Sequence, residues 1–222
     1  MSPHPTIIPL FPLNVVVFPG ERRPLHIFEQ RYREMIAYCR EGEAAGQTRP
    51  FGISMIAGPN LSAVGCSVEI SEILEEFPDG RLNILTLGRR RYRTIEVYQD
   101  HIYYRSAVEY FDDEQEETDS DLLAAAQHRY HEVFETHLGH ELPEVPLVSS
   151  SFEMAQLESL SLEQKQILLE MVNENQRLQL LCGYFDAYLE VLRQRREEEK
   201  EEKNKIKANG HTAGSNGHAS GK

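Results

Sequence analysis

Arg89, Arg91 and Arg93 alternate along the run Gly88-Arg89-Arg90-Arg91-Tyr92-Arg93. On an extended strand, alternate side chains share a face, so three guanidiniums stand within about 13 Å of one another while Arg90 and Tyr92 turn the other way. Guanidiniums so placed pair with carboxylates or phosphates. Two partners are open. One is the chain's own acid, with Glu69, Glu72, Glu75 and Glu76 on a neighbouring run and more acid beyond residue 112. The other is a ligand or partner protein.

The remaining reactive side chains support less. His131-Glu132-Val133-Phe134-Glu135 resembles a helical zinc-binding pattern, but Glu135 stands where the second histidine belongs, and His128 reads with His131 as exposed helix surface. His26, between Leu25 and Ile27, reads as a surface or edge residue of a strand. No Gly-x-x-x-x-Gly-Lys-Ser/Thr loop is available to cradle nucleotide phosphates. The first lysine is Lys165, beside Glu163 and Gln164, where the sequence predicts a solvated turn and not the buried neighbour of a nucleophilic serine. Cys39, Cys66 and Cys182 are odd in number, far apart and each within an apolar pattern, which predicts free thiols rather than disulfides or metal ligands. No catalytic residue, metal or cofactor is predicted.

Charge is unevenly spread over the 222 residues. Residues 1–111 carry 12 arginines against 13 acids and no lysine; residues 112–192 carry three bases against 18 acids. The net charge of −13 therefore comes from the middle third and argues against a phosphate-backbone partner. No apolar run reaches the roughly 20 residues needed to span a bilayer. The opening Met1-Ser2-Pro3-His4-Pro5 is not a signal sequence, so a soluble protein of the reducing cytoplasm is expected.

Strand periodicity dominates the first half. Thr6–Phe11 and Val15–Phe18 are short β-leaning runs punctuated by Pro9, Pro12 and Pro19, which predicts edges or bends and leaves apolar surface near Phe11 and Phe18 open to an added peptide strand. Pro24–Phe28 reads as a further strand. Tyr32, Met35, Ile36 and Cys39 then fall at helical spacing, predicting a helix over about Glu29–Arg40 that plugs the sheet. Phe51–Ala57 returns to strand, and the residues between form a polar loop. From Val64 to Phe111 the chain reads as an antiparallel meander whose first hairpin turns at Pro78-Asp79-Gly80.

Helical periodicity takes over after the acidic run Asp112–Asp121. Leu122 to His137 forms one apolar face, Ser150-x-x-Glu153 and Ser161-x-x-Gln164 are capping boxes, and Asn173 caps a last helix striped by Leu178, Leu181, Phe185, Tyr188 and Leu192. Gly183 within that stripe suggests close packing. Beyond Leu192 the apolar face ends, so the helix should run into solvent, and from Ala208 onward the composition predicts disorder.

Three blocks near the start, Pro9-Leu10-Phe11-Pro12-Leu13, Val15-Val16-Val17-Phe18-Pro19-Gly20 and Pro24 through Tyr32, resemble the opening of the Lon protease N-terminal domain, a module that cereblon also carries. Val64-Gly65-Cys66, the Pro78–Arg81 hairpin and Gly88–Arg93 match its later blocks in order. The resemblance implies an α+β fold: a PUA-like, partly open antiparallel β-barrel with one inserted helix over residues 6–111, then a helical bundle over 112–200 with a protruding last helix. Residues 201–222 are expected to form a charged and then disordered tail.

It also implies a non-catalytic module that recognises unfolded or client proteins, without the ATPase or peptidase of Lon. Phe11, Phe18, Arg89, Arg91 and Arg93 are the expected partner-binding residues. A regulatory or scaffold subunit that docks on a separate protease or chaperone machine is one alternative. A PUA-like RNA binder is the other, and the acidic balance opposes it.

Overall fold

The computed structural model describes residues 5–41, 49–138 and 147–212. Among them run strands β1 (Thr6–Leu13), β2 (Arg22–Ile27), β3 (Phe51–Ala57), β4 (Asn60–Leu61), β5 (Val64–Glu76), β6 (Leu82–Tyr98) and β7 (Tyr104–Tyr110). Helices are α1 (Gln30–Arg40), α2 (Ser120–Leu138), α3 (Ser151–Met154), α4 (Leu162–Glu170) and α5 (Glu174–Thr212). The fold is α+β, with a partly closed strand ring followed by a helical bundle.

The expected meander β5-β6-β7 is present, and β3 extends it on the far side of β5. Closure comes from a pairing that the sequence pattern does not display: β1 lies antiparallel to β7 through Thr6–Leu10 and parallel to β3 through Leu10–Leu13. Each half of β1 thus has one strand neighbour, which is how it accommodates Pro9 and Pro12, residues without an N–H to donate. The hairpin turns as expected, with the Gly80 amide donating to the Phe77 oxygen at 2.9 Å. Within the meander, Leu82–Tyr98 runs as one long strand, β6. Its first half holds β2 and its second half holds β7 along the same edge.

Tyr92 fills the interior of the ring. It is fully buried, and its hydroxyl lies 2.9 Å from the Ser54 Oγ. A methyl group at Gly52 or at Gly65 would sit 2.5 Å from that hydroxyl, so both glycines make room for the ring. Below it, α1 buries Tyr32, Met35, Ile36 and Cys39 against Phe51, Ile53, Cys66, Val68, Leu82 and Ile84, closing the sheet as its apolar stripe predicts.

Val15–Phe18 is not a strand. Its side chains nonetheless alternate, and the alternation sorts them between two cores: Val15 and Val17 pack with α1 and the barrel, Val16 and Phe18 with the bundle. The backbone here is held by its neighbours rather than by a ladder. Gly20 donates to the Gly88 oxygen at 2.9 Å and Gly88 donates to the Glu21 oxygen at 2.8 Å. A Cβ at Gly88 would lie 2.0 Å from the Phe18 oxygen, so only glycine permits this approach.

The helix starts follow their caps. Ser161 forms a complete capping box with Gln164, and Asn173 Oδ1 accepts from the Gln176 amide at 3.0 Å. Ser150 accepts from the Glu153 amide, but the Glu153 carboxylate turns to the Ser149 amide, one residue before the expected one. Gly183 is exposed, with nothing within 4 Å of where its Cβ would be, so close packing is not the reason for it. α5 continues to Thr212, past Ala208 where disorder was expected. The expected polar loop over residues 42–48, the prolines at 143 and 146, and residues 213–222 lie outside the described residues.

Candidate functional site

At the mouth of the ring the strands end unevenly. β3 continues past Leu13, the last residue of β1, into the short β3–β4 hairpin, while β6 reaches Tyr98. The unmatched ends and the β2–α1 connection enclose a groove of about 910 Å³. Phe11, Leu13, Ile56, Leu61, Val97 and Tyr104 supply apolar lining from five strands, and Phe28 adds a ring from the β2–α1 connection. Three of these are large apolar side chains left in the open: Phe28 is 60% exposed, Ile56 42% and Val97 37%. Burying such residues under a partner is favourable, at about 25 cal/mol per Å² of apolar surface.

Charge in the groove is largely neutralised internally. Arg31 is paired with Glu29 at 2.7 Å and lies 4.5 Å over the Tyr32 ring. His26, an edge residue as expected, bonds Asn83 on β6 through Nδ1 and stacks on Phe28 with ring centroids 5.8 Å apart. The lining thus offers apolar bulk and a few polar groups without a net sign.

The arginine run sits elsewhere, at the junction of ring and bundle. Arg89 bonds Glu69 at 2.7 Å, Arg90 bonds Asp112 at 2.8 Å, and Arg93 lies 4.1 Å over the Phe111 ring. Arg91 is only 3% exposed: it donates to the main-chain oxygens of Leu169 and Met171 and pairs with Asp113. Arg91 and Arg93 do share a face, both over Phe111. Burial holds the Arg91 pKa below its ordinary value, with Asp113 opposing the shift.

Asp113 also pairs with Arg177 of α5, which is 1% exposed and bonds Glu174 and Ser151 as well. Burial works against the charge on Arg177, yet the bonds from Asp113 and Glu174 outweigh it and raise the pKa. The sequence reading missed this network. A signal was available, because Arg177 precedes Leu178 by one residue and Leu181 by four, which places it beside the buried stripe.

Phe18, read as open surface at a sheet edge, has none: it is 0% exposed and its ring stacks on Phe152 of α3 at 5.5 Å. The helical half covers it, and an edge argument made from the strands alone cannot register that cover. Phe11 is 5% exposed and contributes to the base of the groove. Lys165, expected on a solvated turn, is 8% exposed in α4, where its ammonium donates to the Gln156 oxygen at 3.4 Å. Desolvation lowers its pKa.

Cys39 and Cys66 are buried and unpaired, and burial pushes each thiol up to about 12. Among the described residues, no three His, Cys, Asp or Glu side chains gather as they would around a metal ion. Among them, too, no helix is long and apolar enough to cross a membrane.

The family model of the ATP-dependent protease La (LON) substrate-binding domain matches residues 7–187. The chain belongs to this family. A Lon N-terminal domain protein from Xanthomonas campestris superposes with a TM-score of 0.61 at 24% identity, over 80% of this chain and 98% of that one. The N-terminal domain of Mycobacterium avium complex Lon protease gives 0.60 at 16% identity, over 82% and 98%. At such identities these structures establish a shared fold. The Lon substrate-binding fold is thus the frame in which the groove lies.

Proposed function

We propose that this chain is a non-catalytic recognition module that seats exposed apolar segments of protein substrates in the groove at the mouth of its strand ring. The observation that carries this reading is the concave grouping of Phe28, Ile56 and Val97, all substantially exposed, in a member of the Lon substrate-binding family. A volume of about 910 Å³ suits a short extended segment, since clefts of roughly 300–1,000 Å³ accommodate compact ligands. In this reading residues 6–111 carry recognition and residues 112–200 brace them through the shared core around Phe18. The unpaired thiols are in keeping with a reducing cytoplasm.

Anisotropy of a labelled, permanently unfolded protein tests the groove. Phe28→Asp and Ile56→Asp should each weaken capture by roughly tenfold, because a carboxylate must then be buried unpaired against apolar side chains. Unchanged capture in both variants would reject the groove as the recognition surface. Docking on a separate protease or chaperone machine is the second reading, and the long charged extension of α5 favours it. Loss of a machine-bound complex on removal of residues 193–222, with unfolded-protein capture intact, would select that reading. The RNA alternative is disfavoured because the arginine run is engaged within the chain.

A further inference from the structure

Among the described residues His26 is the histidine that lines the groove, and a relay fixes which of its ring nitrogens carries the proton. Asn83 Nδ2 donates to Glu75 Oε2 at 2.9 Å, so the amide oxygen of Asn83 is the atom turned to His26, at 2.6 Å from Nδ1. An amide oxygen only accepts, and Nδ1 must therefore carry the proton. In the neutral ring this leaves a lone pair on Nε2, and among the described residues none is seen to bond it. Phe28 stacks on the ring at 5.8 Å and Phe77 meets it edge-on at 6.1 Å, so its plane is set from both sides.

We propose that His26 is the polar anchor of the groove: Nε2 accepts a backbone N–H from a bound extended segment whose neighbouring apolar side chain packs on Phe28. The inference rests on the groove reading and adds the chemistry of selection, namely an uncharged segment with a free main-chain donor beside an apolar residue. Of the charged groups nearby, Glu75 lies behind Asn83 and Arg81 over the Phe77 ring, and the Glu29–Arg31 pair also lines the groove. Asn60 and Gln99 add neutral polar groups to the lining.

The test uses a fluorescent, uncharged peptide of Leu, Phe, Thr and Ser with both termini blocked. His26→Phe keeps the stack on Phe28 without an acceptor and should bind it about three- to tenfold more weakly than the unaltered full chain, the loss of one hydrogen bond. His26→Gln places an acceptor oxygen near Nε2 and should bind as the unaltered chain does. Binding by His26→Phe equal to that of the unaltered chain would overturn the inference alone, as would binding by His26→Gln as weak as that of His26→Phe. Failure of the unaltered chain to bind the peptide would overturn the groove reading and this one with it.

Discussion

The Arg91 guanidinium of β6 donates to the Leu169 main-chain oxygen at the end of α4 at 3.1 Å, joining positions 78 residues apart. The same side chain meets Met171 and Asp113, and Asp113 passes the connection on to Arg177 of α5. Within the arginine row of the strand, Arg91 therefore acts as a clasp between ring and bundle. Phe152 lies within it, 4.2 Å from Arg177 and stacked on Phe18.

Removing the shared carboxylate should be costly. Asp113→Ala leaves Arg91 with main-chain oxygens only and Arg177 with Glu174, so one buried charge loses its counter-ion. A loss of about 3 kcal/mol is expected in urea unfolding followed by circular dichroism. A loss below about 1 kcal/mol would show that the clasp is replaceable by water.

Gly183→Ala should stabilise the protein. The position is mid-helix and exposed, with open space where the methyl group goes, so only the conformational freedom of glycine is lost. The gain expected is about 0.5–1 kcal/mol, read as a rise in thermal midpoint of a few degrees. A fall in midpoint would mean that the helix bends here in a way alanine resists.

Gly88→Ala should have the opposite effect, because its Cβ would lie 2.0 Å from the Phe18 carbonyl oxygen and neither backbone can move without breaking the paired Gly20 and Glu21 bonds. Destabilisation of about 3 kcal/mol or failure to accumulate folded protein is expected. A variant with a native urea midpoint would contradict the close approach.

Thiol chemistry gives a pH-linked prediction. Cys39 and Cys66 are pushed from an ordinary 9.0 up to about 12 by burial, and Cys182, also raised by burial but part-exposed, should be the only thiol modified by an aromatic disulfide reagent in the native state. All three should react in urea. Thiols whose folded pKa is raised favour the folded state fully below pH 9, and that contribution is lost as pH rises from 9 towards 12, because the unfolded chain releases its protons first. Unfolding midpoints measured across that window should therefore fall. Prompt modification of three thiols without denaturant would show that the core around α1 opens readily.

Local physics made much of this protein legible in its sequence. The α1 stripe, the hairpin at Pro78–Gly80, the Ser161 box and the Asn173 cap depend on side chains within a few residues of one another, so spacing alone determines them. The order of ring before bundle was implied by the family resemblance of the opening blocks. Tertiary structure decided what depends on distant neighbours. β1 pairs with β3 because an intervening strand and helix carry the chain across, Phe18 is covered by a helix more than a hundred residues away, and Arg91 is buried by main-chain oxygens that no pattern of side chains records. The groove belongs to this second kind: Phe28, Ile56 and Val97 come from the β2–α1 connection, β3 and β6, and they line one groove only because the strands of a partly closed ring end unevenly.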